Sequence, residues 1–250
     1  MTSHEHTRVT IADRPELIAV VQRLISDIWP DYFQNARSDP DDGRVDWMGL
    51  YHRWPHLQLA LLDGDRVIAS AHTAPLAWAG EPSELPEEGW DWAMRRSRDD
   101  LDAGSTPETL CGLAVTIASD RQGEGLSQVM LRWMHTVARQ HGMPRLIVPV
   151  RPSQKFRHPH TPMMEYASRV REDGLPQDPW IRTHIRIGGR IISACDQAMQ
   201  MVGTAAEWSH WLNMPLPDDG EQTHPDLLSP LVLSDGIGRY VEPNLWMLHG

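Results

Sequence analysis

The strongest constraint on the fold is a β-like run that leads through a glycine turn into a helical pattern. Residues Thr109 to Ile117 are nearly all apolar or β-branched, as expected of a strand buried on both faces. Gly123 and Gly125 follow, and apolar residues then recur at helical spacing from Leu126 to Val137. Leu146 to Val150 reads as the next strand. The sequence therefore predicts a crossover unit that joins two neighbouring parallel strands.

The glycine turn has the properties of an anion site. Gly123 and Gly125 lack Cβ atoms, so the backbone there can approach a ligand closely. The first N–H groups of a helix have no internal acceptor, and the helix dipole favours an anion beside them. A Walker loop is excluded because Leu126, rather than Lys, follows the second glycine. A Rossmann fingerprint is excluded because Gln128 stands where its third glycine would be.

The other patterns predict alternating strands and helices along the rest of the chain. An Asp-Gly pair at Asp63-Gly64 predicts a hairpin between residues 57–62 and 66–74. The stretch from Trp29 to Trp54 indicates short helices and loops that cover a groove. We expect further strands at residues 8–11, 182–187, 190–194, 231–233 and 245–248, and further helices at 14–28, 90–101, 161–171 and 203–212.

From about residue 8 to 150, this order of elements resembles the GNAT superfamily of acyl-CoA N-acyltransferases. The superfamily signature is Gln or Arg, two residues, Gly, one residue, then Gly or Ala; here it reads Gln122-x-x-Gly125-x-Ser127, with Ser127 departing from the usual last residue. The resemblance implies an α+β, GNAT-like fold with a mixed, mainly antiparallel central sheet flanked by helices. No Gly/Ser linker interrupts the chain, so we expect one domain with a core of about 8–195 and an elaborated C-terminal extension of about 196–250.

The resemblance also implies a donor site for acetyl-CoA or another acyl-CoA, without a metal. In the superfamily, the strand before the turn separates from its neighbour and its backbone contacts the pantetheine arm, while the turn holds the pyrophosphate. The positions that match these roles, with Ser153 after the following strand, are Leu113, Ala114, Val115, Arg121, Gln122, Gly123, Glu124, Gly125, Leu126, Ser127 and Ser153.

The implied chemistry is direct attack of an amine on the thioester. Superfamily members commonly use a Tyr on the helix after the next strand to protonate the departing thiolate, and Tyr166 matches that position. For the general base the sequence offers His72, Glu108 and Glu165 without selecting one, and proton loss to water is an alternative. No GxSxG elbow is present, and Cys111 lies in the apolar run, so a covalent enzyme intermediate is not expected.

The resulting hypothesis is transfer of an acetyl or other acyl group from acyl-CoA to an amine of a small molecule. Two alternatives stay open: a transferase that uses an acyl-carrier protein or aminoacyl-tRNA as donor, and a non-catalytic acyl-CoA-binding protein. A surface patch containing Lys155 and Arg157 would favour the carrier protein, whose helices are acidic. A homodimer is a further open possibility.

Composition limits the other function classes. The chain has 23 Lys and Arg against 34 Asp and Glu, a net charge of −11, which disfavours broad nucleic-acid binding. Cys111 and Cys195 form no CxxC pair, and His158-x-His160 lacks a third ligand, so we expect reduced thiols and no metal. There is no signal-like start and no apolar run of roughly 20 residues, so we expect a cytoplasmic protein that does not enter the membrane.

Tryptophan is unusually frequent, with eleven residues against two Phe. In a GNAT-like fold, several of them would border the groove that binds the amine. These tryptophans are Trp47, Trp54, Trp78, Trp90 and Trp92. Packing in the core explains their presence equally well.

Overall fold

The apolar run that dominates the sequence becomes the middle strand of a seven-stranded sheet. A computed structural model of the chain describes residues 6–38 and 46–250. The strands in these two ranges are β1 (Thr7–Thr10), β2 (Arg37–Ser38), β3 (Leu59–Asp63), β4 (Arg66–Leu76), β5 (Thr109–Ile117), β6 (Arg145–Val150), β7 (Arg190–Cys195), β8 (Gln200–Thr204), β9 (Gly220–Gln222), β10 (Leu231–Ser234), β11 (Ile237–Val241) and β12 (Asn244–His249). The α-helices in the same ranges are α1 (Ile18–Ser26), α2 (Tyr32–Asn35), α3 (Gly49–Arg53), α4 (Gly89–Asp102), α5 (Leu126–Gln140), α6 (Met163–Ala167), α7 (Pro179–Arg186) and α8 (Ala205–Trp211).

The main sheet has the strand order β1-β3-β4-β5-β6-β12-β7. Within the described ranges its neighbouring strands are antiparallel, except for β5 and β6, which are parallel and joined by α5. The predicted crossover unit and the predicted mainly antiparallel sheet are therefore confirmed. The predicted hairpin is also confirmed, since β3 and β4 pair around a turn at Gly64.

Helices cover both faces of this sheet. A Cβ on Gly112 would lie 3.2 Å from both Met134 of α5 and Val148 of β6, so that face packs against α5. Side chains alternate along a strand, so Pro149 and its cross-strand partner Trp246 point to the other face. There Trp246 packs edge-on against Trp92 of α4 at 6.0 Å between ring centroids. The sheet thus separates an α5 side from an α4 side.

A second, five-stranded sheet has the order β2-β8-β11-β10-β9. Its strands β8 to β11 come from the segment between β7 and β12, and β2 comes from the N-terminal part of the chain. This sheet packs with α8 around a core of its own, in which Trp208 is fully buried and donates its indole N–H to Gly238 O at 3.0 Å. We call residues 196–241 the insertion. After it, β12 returns to the main sheet between β6 and β7, so the part of the chain that we expected to be an extension also supplies an inner strand.

One predicted strand is wrong. Residues 182–187, whose Ile and Thr content suggested a strand, belong to helix α7. Asp178 caps this helix by accepting the N–H groups of Trp180 and Ile181, and Pro179 occupies its first turn. The helix predicted at 161–171 is shorter, spanning only α6. No helix in the described ranges combines the length and apolar character that a membrane span requires.

Candidate functional site

The two central parallel strands separate and leave a gap in the main sheet. β5 pairs with β6 only from Thr109 to Cys111, opposite Arg145 to Ile147, and no further β5–β6 pair occurs in the part of the chain that the structure describes. A bulge in the β4–β5 pairing, next to His72 and Thr73, lies where β5 turns away. The edge of β5 from Gly112 onward is therefore left without a strand partner on the β6 side.

A cavity of about 810 Å³ occupies this gap. It falls within the range of roughly 300–1,000 Å³ typical of small-molecule and cofactor sites. On the α5 side, polar residues from the glycine turn, α5 and the segments after β6 line it: Gln122, Ser127, Ser153 and Thr183. On the α4 side it is lined by aromatic and polar residues: Trp29, Phe33, Trp47, Trp90, Asp91, Arg151, Gln200 and Asn244.

The glycine turn opens onto the α5 side of this cavity. Gly123 and Gly125 have φ of 85° and 78°, and a Cβ on either would meet no atom within 4 Å. α5 begins at Leu126 without a side-chain cap. The N–H groups of Gly125, Leu126 and Ser127 have no hydrogen-bond acceptor among the described residues. Such a set of unpaired donors at a helix start suits an anion.

Two charged residues of the predicted donor site bind each other. Arg121 forms ion pairs with Asp63 of the hairpin at 2.7 Å and with Glu124 at 3.0 Å. These carboxylates raise the pKa of Arg121. Neither Arg121 nor Glu124 lines the cavity, whereas Gln122 and Ser127 do. Of the other predicted donor-site residues, Leu113, Ala114, Val115 and Ser153 line the cavity, while Leu126 is buried beneath the turn.

Tyr166 lies on α6 with its hydroxyl group directed into a protein network. It donates to Asp178 Oδ2 at 2.8 Å, and burial together with the carboxylate of Asp178 raises its pKa. Asp178 also accepts the N–H groups of Gln154, Trp180 and Ile181. Tyr166 does not line the cavity. The structure therefore gives this hydroxyl a clear role in joining α6 to the start of α7.

His72 is buried on β4, directly opposite Ala114 of the unpaired edge. Its Nε2 lies 2.6 Å from the hydroxyl of Tyr51, which accepts a hydrogen bond from Gln22 at 2.5 Å. Gln22 lines the cavity, so these three side chains lead from the cavity to the imidazole. Nδ1 of His72 has no partner among the described residues, and burial lowers the pKa of His72 to about 3. The imidazole is therefore neutral at physiological pH.

The other candidate bases lie away from the cavity. Glu108 is exposed just before β5, and its N–H donates to Leu76 O at 2.9 Å. That is the end where β5 and β6 stay paired, whereas the cavity lies at the opposite end. Glu165 is exposed and lies 3.5 Å from Arg169.

Lys155, one member of the basic patch that would favour a carrier-protein donor, is buried. It is 1% exposed, and its Nζ donates to the carbonyl oxygens of His158, Pro159 and Leu228 at 2.7, 3.3 and 3.1 Å. Burial lowers the pKa of Lys155 to about 8. The lysine holds the loop after β6 against the insertion, whereas Arg157 is exposed. Across the described ranges, no group of three His, Cys, Asp or Glu side chains suits a metal ion.

Sequence reasoning missed four polar residues on the α4 side of the cavity: Asp91, Arg151, Gln200 and Asn244. Arg151 follows β6 directly and forms an ion pair with the fully buried Glu242. Asp91 of α4 accepts the N–H of Gln200 at 3.1 Å. Asn244 begins β12 and is 1% exposed. Only the pairing of β12 with β6 brings Asn244 to the cavity, and no local sequence pattern signals that pairing.

Comparison with known proteins gives this geometry a context. No protein-family profile matches the chain. The arginine N-acetyltransferase avaD of Aspergillus versicolor is 26% identical over 272 residues, which cover 96% of this chain and 92% of that protein. The GNATL loading domain of CurA from Lyngbya majuscula superimposes with a TM-score of 0.56 at 15% identity, over 98% of this chain and 97% of that domain. The chain has a GNAT-like fold and is similar in sequence to the N-acetyltransferase avaD.

A second solved GNAT structure agrees with this assignment. The GphF GNAT-like decarboxylase, solved in complex with isobutyryl-CoA, has a TM-score of 0.56 at 15% identity and covers 99% of both chains. The predicted resemblance to the GNAT superfamily and the predicted α+β GNAT-like fold are therefore confirmed. The predicted enzyme class, an N-acyltransferase, is also that of the curated relative.

Proposed function

We propose that this GNAT protein transfers an acetyl or other acyl group from acyl-CoA to an amine of a small molecule. The observation that carries the proposal is the set of unpaired N–H groups at Gly125, Leu126 and Ser127, beside a cavity between two separated strands that Ser127 itself lines. Acyl-CoA has a pyrophosphate that can accept hydrogen bonds from these N–H groups and a long thioester arm that can occupy the cavity. The free edge of β5 supplies a backbone for the arm to follow.

In the proposed complex, the pyrophosphate lies on the turn from Gln122 to Ser127. The pantetheine arm runs along Leu113 to Val115, whose backbone lacks a strand partner on the side facing β6. Unused backbone N–H groups there would polarise the thioester carbonyl and stabilise the negative charge that develops on its oxygen. The thioester then lies near Gly112, where the two strands part.

The amine attacks from the α4 side of the gap. Trp29, Phe33, Trp47 and Trp90 give that half an aromatic wall, to which a cationic or apolar acceptor can bind. Asp91 places a carboxylate in the same half. Because the curated relative is named for arginine, we expect arginine to be the first acceptor to test.

In the proposed reaction, a water molecule in the cavity accepts the proton that the amine loses. His72 is neutral but, with a pKa of about 3, is a weak base. We therefore propose that His72 holds Tyr51 and Gln22 in place, and that Gln22 orients the water that takes the proton. An acyl-carrier-protein donor is the alternative; of the two basic residues that would favour it, Lys155 is buried and Arg157 is exposed.

Replacement of Gly125 by tryptophan tests the donor site. We expect Gly125→Trp to weaken acetyl-CoA binding by at least tenfold, because the indole would cover the N–H groups that receive the pyrophosphate. Isothermal titration calorimetry measures the Kd. Gly142→Trp is a matched control, since Gly142 follows the opposite end of α5 with φ of 77° and an equally open Cβ position. Both variants carry a similar cost of about 1–2 kcal/mol for a left-handed backbone. Equal affinity of the two variants would contradict the proposal.

A further inference from the structure

Asn244 carries a buried amide that the protein itself leaves unpaired. The residue is 1% exposed, lines the cavity, and has no hydrogen-bond partner for either Nδ2 or Oδ1 among the described residues. An amide buried in this way costs about 1–3 kcal/mol for each unsatisfied group. Buried polar groups of this kind usually serve a ligand or ordered water. A bound molecule with oxygen acceptors would supply what Nδ2 lacks.

Arg151 lies beside Asn244 at the ends of two neighbouring strands. The register pairs Leu245 with Val150, so the residues before and after them, Asn244 and Arg151, stand next to each other. Both line the cavity. The charge of Arg151 persists, because the carboxylate of Glu242 is in contact with its Nε and raises its pKa.

The guanidinium of Arg151 has donors to spare. Its Nε donates to Glu242 and its Nη2 donates to Asp226 O at 2.7 Å. These two hydrogen bonds do not use all five N–H donors of a guanidinium. A side chain that remains 22% exposed at the cavity can therefore receive a further acceptor. A carboxylate suits a guanidinium and a neighbouring amide best, since it can take a hydrogen bond from each on its two oxygens.

The location of this pair decides which substrate supplies the carboxylate. Asn244 and its cross-strand partner Cys195 are on the α4 side, since a Cβ on Gly89 of α4 would meet the Cys195 side chain at 2.8 Å. The glycine turn and α5 are on the opposite side of the sheet. A carboxylate at Asn244 and Arg151 therefore comes with the acceptor, while the pyrophosphate belongs to the donor.

We propose that Asn244 and Arg151 form a carboxylate subsite, so that the amine acceptor is an amino acid. The inference rests on the proposed acyltransferase function. It also gives Asp91 a role, because an amino acid carries an ammonium group as well as a carboxylate, and Asp91 lines the same half of the cavity.

Matched acceptor pairs test the subsite. Initial rates with acetyl-CoA are measured for arginine against agmatine, lysine against cadaverine, and tryptophan against tryptamine, where the second member of each pair lacks the carboxylate. We expect kcat/KM of the best pair to favour the amino acid by at least tenfold. Preference for the decarboxylated amine in every pair overturns the proposal. If no pair is acetylated while acetyl-CoA still binds, the subsite is refuted and the donor site stands. If acetyl-CoA does not bind at all, the proposed function itself fails.

Substitution of Asn244 separates a ligand role from a structural one. Asn244→Leu should raise KM for the preferred amino acid about tenfold, equivalent to about 1.4 kcal/mol, and leave KM for its decarboxylated partner unchanged. Because the Asn244 amide has no protein partner, the melting temperature of the variant should stay the same or rise. Asn244→Ala is a second variant that removes the amide without requiring space for leucine. Ser193→Ala is the control, since it removes another buried, unpartnered polar atom, the Oγ of Ser193, outside the cavity. The inference is overturned if the melting temperature falls for both Asn244 variants or if both KM values rise equally. It is also overturned if the substitution changes KM for a donor whose acyl group carries a carboxylate, succinyl-CoA, and leaves KM for the acceptor unchanged.

Discussion

At the scale of single residues, His72 shows how burial sets the chemistry that a side chain can perform. Its imidazole is 1% exposed, packs against Trp47 with 4.7 Å between ring centroids, and accepts or donates one hydrogen bond at Nε2. Burial lowers its pKa to about 3 and that of His249 to about 4. Both imidazoles must become exposed to solvent before they can take up a proton near neutral pH.

This burial makes stability depend on pH. The pKa of His72 is lower in the folded protein than in the unfolded chain, where it is about 6.5, so the unfolded chain binds the proton first. The stabilising contribution is complete above pH 6.5 and is lost as the pH falls towards 3. We expect His72→Gln to lose stability less steeply than the unsubstituted protein between pH 6.5 and 5, by about 1.4 kcal/mol per pH unit.

Urea denaturation at several pH values measures this difference. His52→Gln is the control, because it removes an exposed imidazole from α3. Parallel pH profiles for His72→Gln and the unsubstituted protein would contradict the expectation. Initial rates of the same variant test whether His72 is the general base or only holds Tyr51 and Gln22 in place. Loss of a general base typically slows catalysis by about 10²–10⁴-fold, and we expect a smaller effect.

At the scale of secondary structure elements, Asp178 links three segments around the start of α7. It caps α7 and accepts hydrogen bonds from the Gln154 N–H and the Tyr166 hydroxyl group. We expect Tyr166→Phe to cost about 1 kcal/mol of folding free energy, through loss of one hydrogen bond, and to slow turnover less than about twofold. Thermal unfolding and initial rates measure the two effects. If turnover instead slows by about a hundredfold or more while stability is unchanged, the result supports Tyr166 as the general acid.

Elements with strong local signals could be predicted from the sequence. The strand from Thr109 to Ile117 was recognisable from its continuous apolar composition, and the turn from two glycines that both adopt positive φ. α7 was missed because β-branched residues suggested a strand, although Asp178 and Pro179 are good signals for a helix start. The capping interaction determined the structure there.

Contacts between distant parts of the chain could not be predicted. The glycine turn is local, so it could be predicted from two glycines ahead of a helical pattern, and the resemblance to GNAT proteins suggested its role as a donor site. Asn244 and Arg151 meet only because β12 pairs with β6, and Lys155 is buried only because the insertion supplies the carbonyl of Leu228. Single-sequence patterns carry no information on such pairing. For the same reason the acceptor half of the cavity was described only as a set of tryptophans.

At the scale of the whole molecule, the pair formed by Arg151 and Glu242 connects the main sheet to the insertion. Glu242 is fully buried and also accepts the hydroxyl hydrogen bond of Tyr240, which belongs to β11 of the second sheet. We expect Glu242→Leu to destabilise the protein by about 3–5 kcal/mol, because it leaves the guanidinium of Arg151 without its counter-charge. Arg151→Met together with Glu242→Leu should recover most of that loss.

Urea unfolding of the two single variants and the double variant measures this coupling as a double-mutant cycle. Strictly additive losses would show that the two charges act independently. The cycle concerns stability alone, so it is independent of the carboxylate subsite proposed for Arg151.

The position of β12 has a consequence for the order in which the protein matures on the ribosome. β6 has its neighbour β12 on one side and a widening gap towards β5 on the other, and β12 is translated only after the whole insertion. Until then, a nascent chain that has already formed the donor turn exposes the hydrogen-bonding edge of β6, which is a template for unwanted association. Completion of the central sheet is thus a late event during biosynthesis, and the edge of β6 stays uncovered until β12 has been translated.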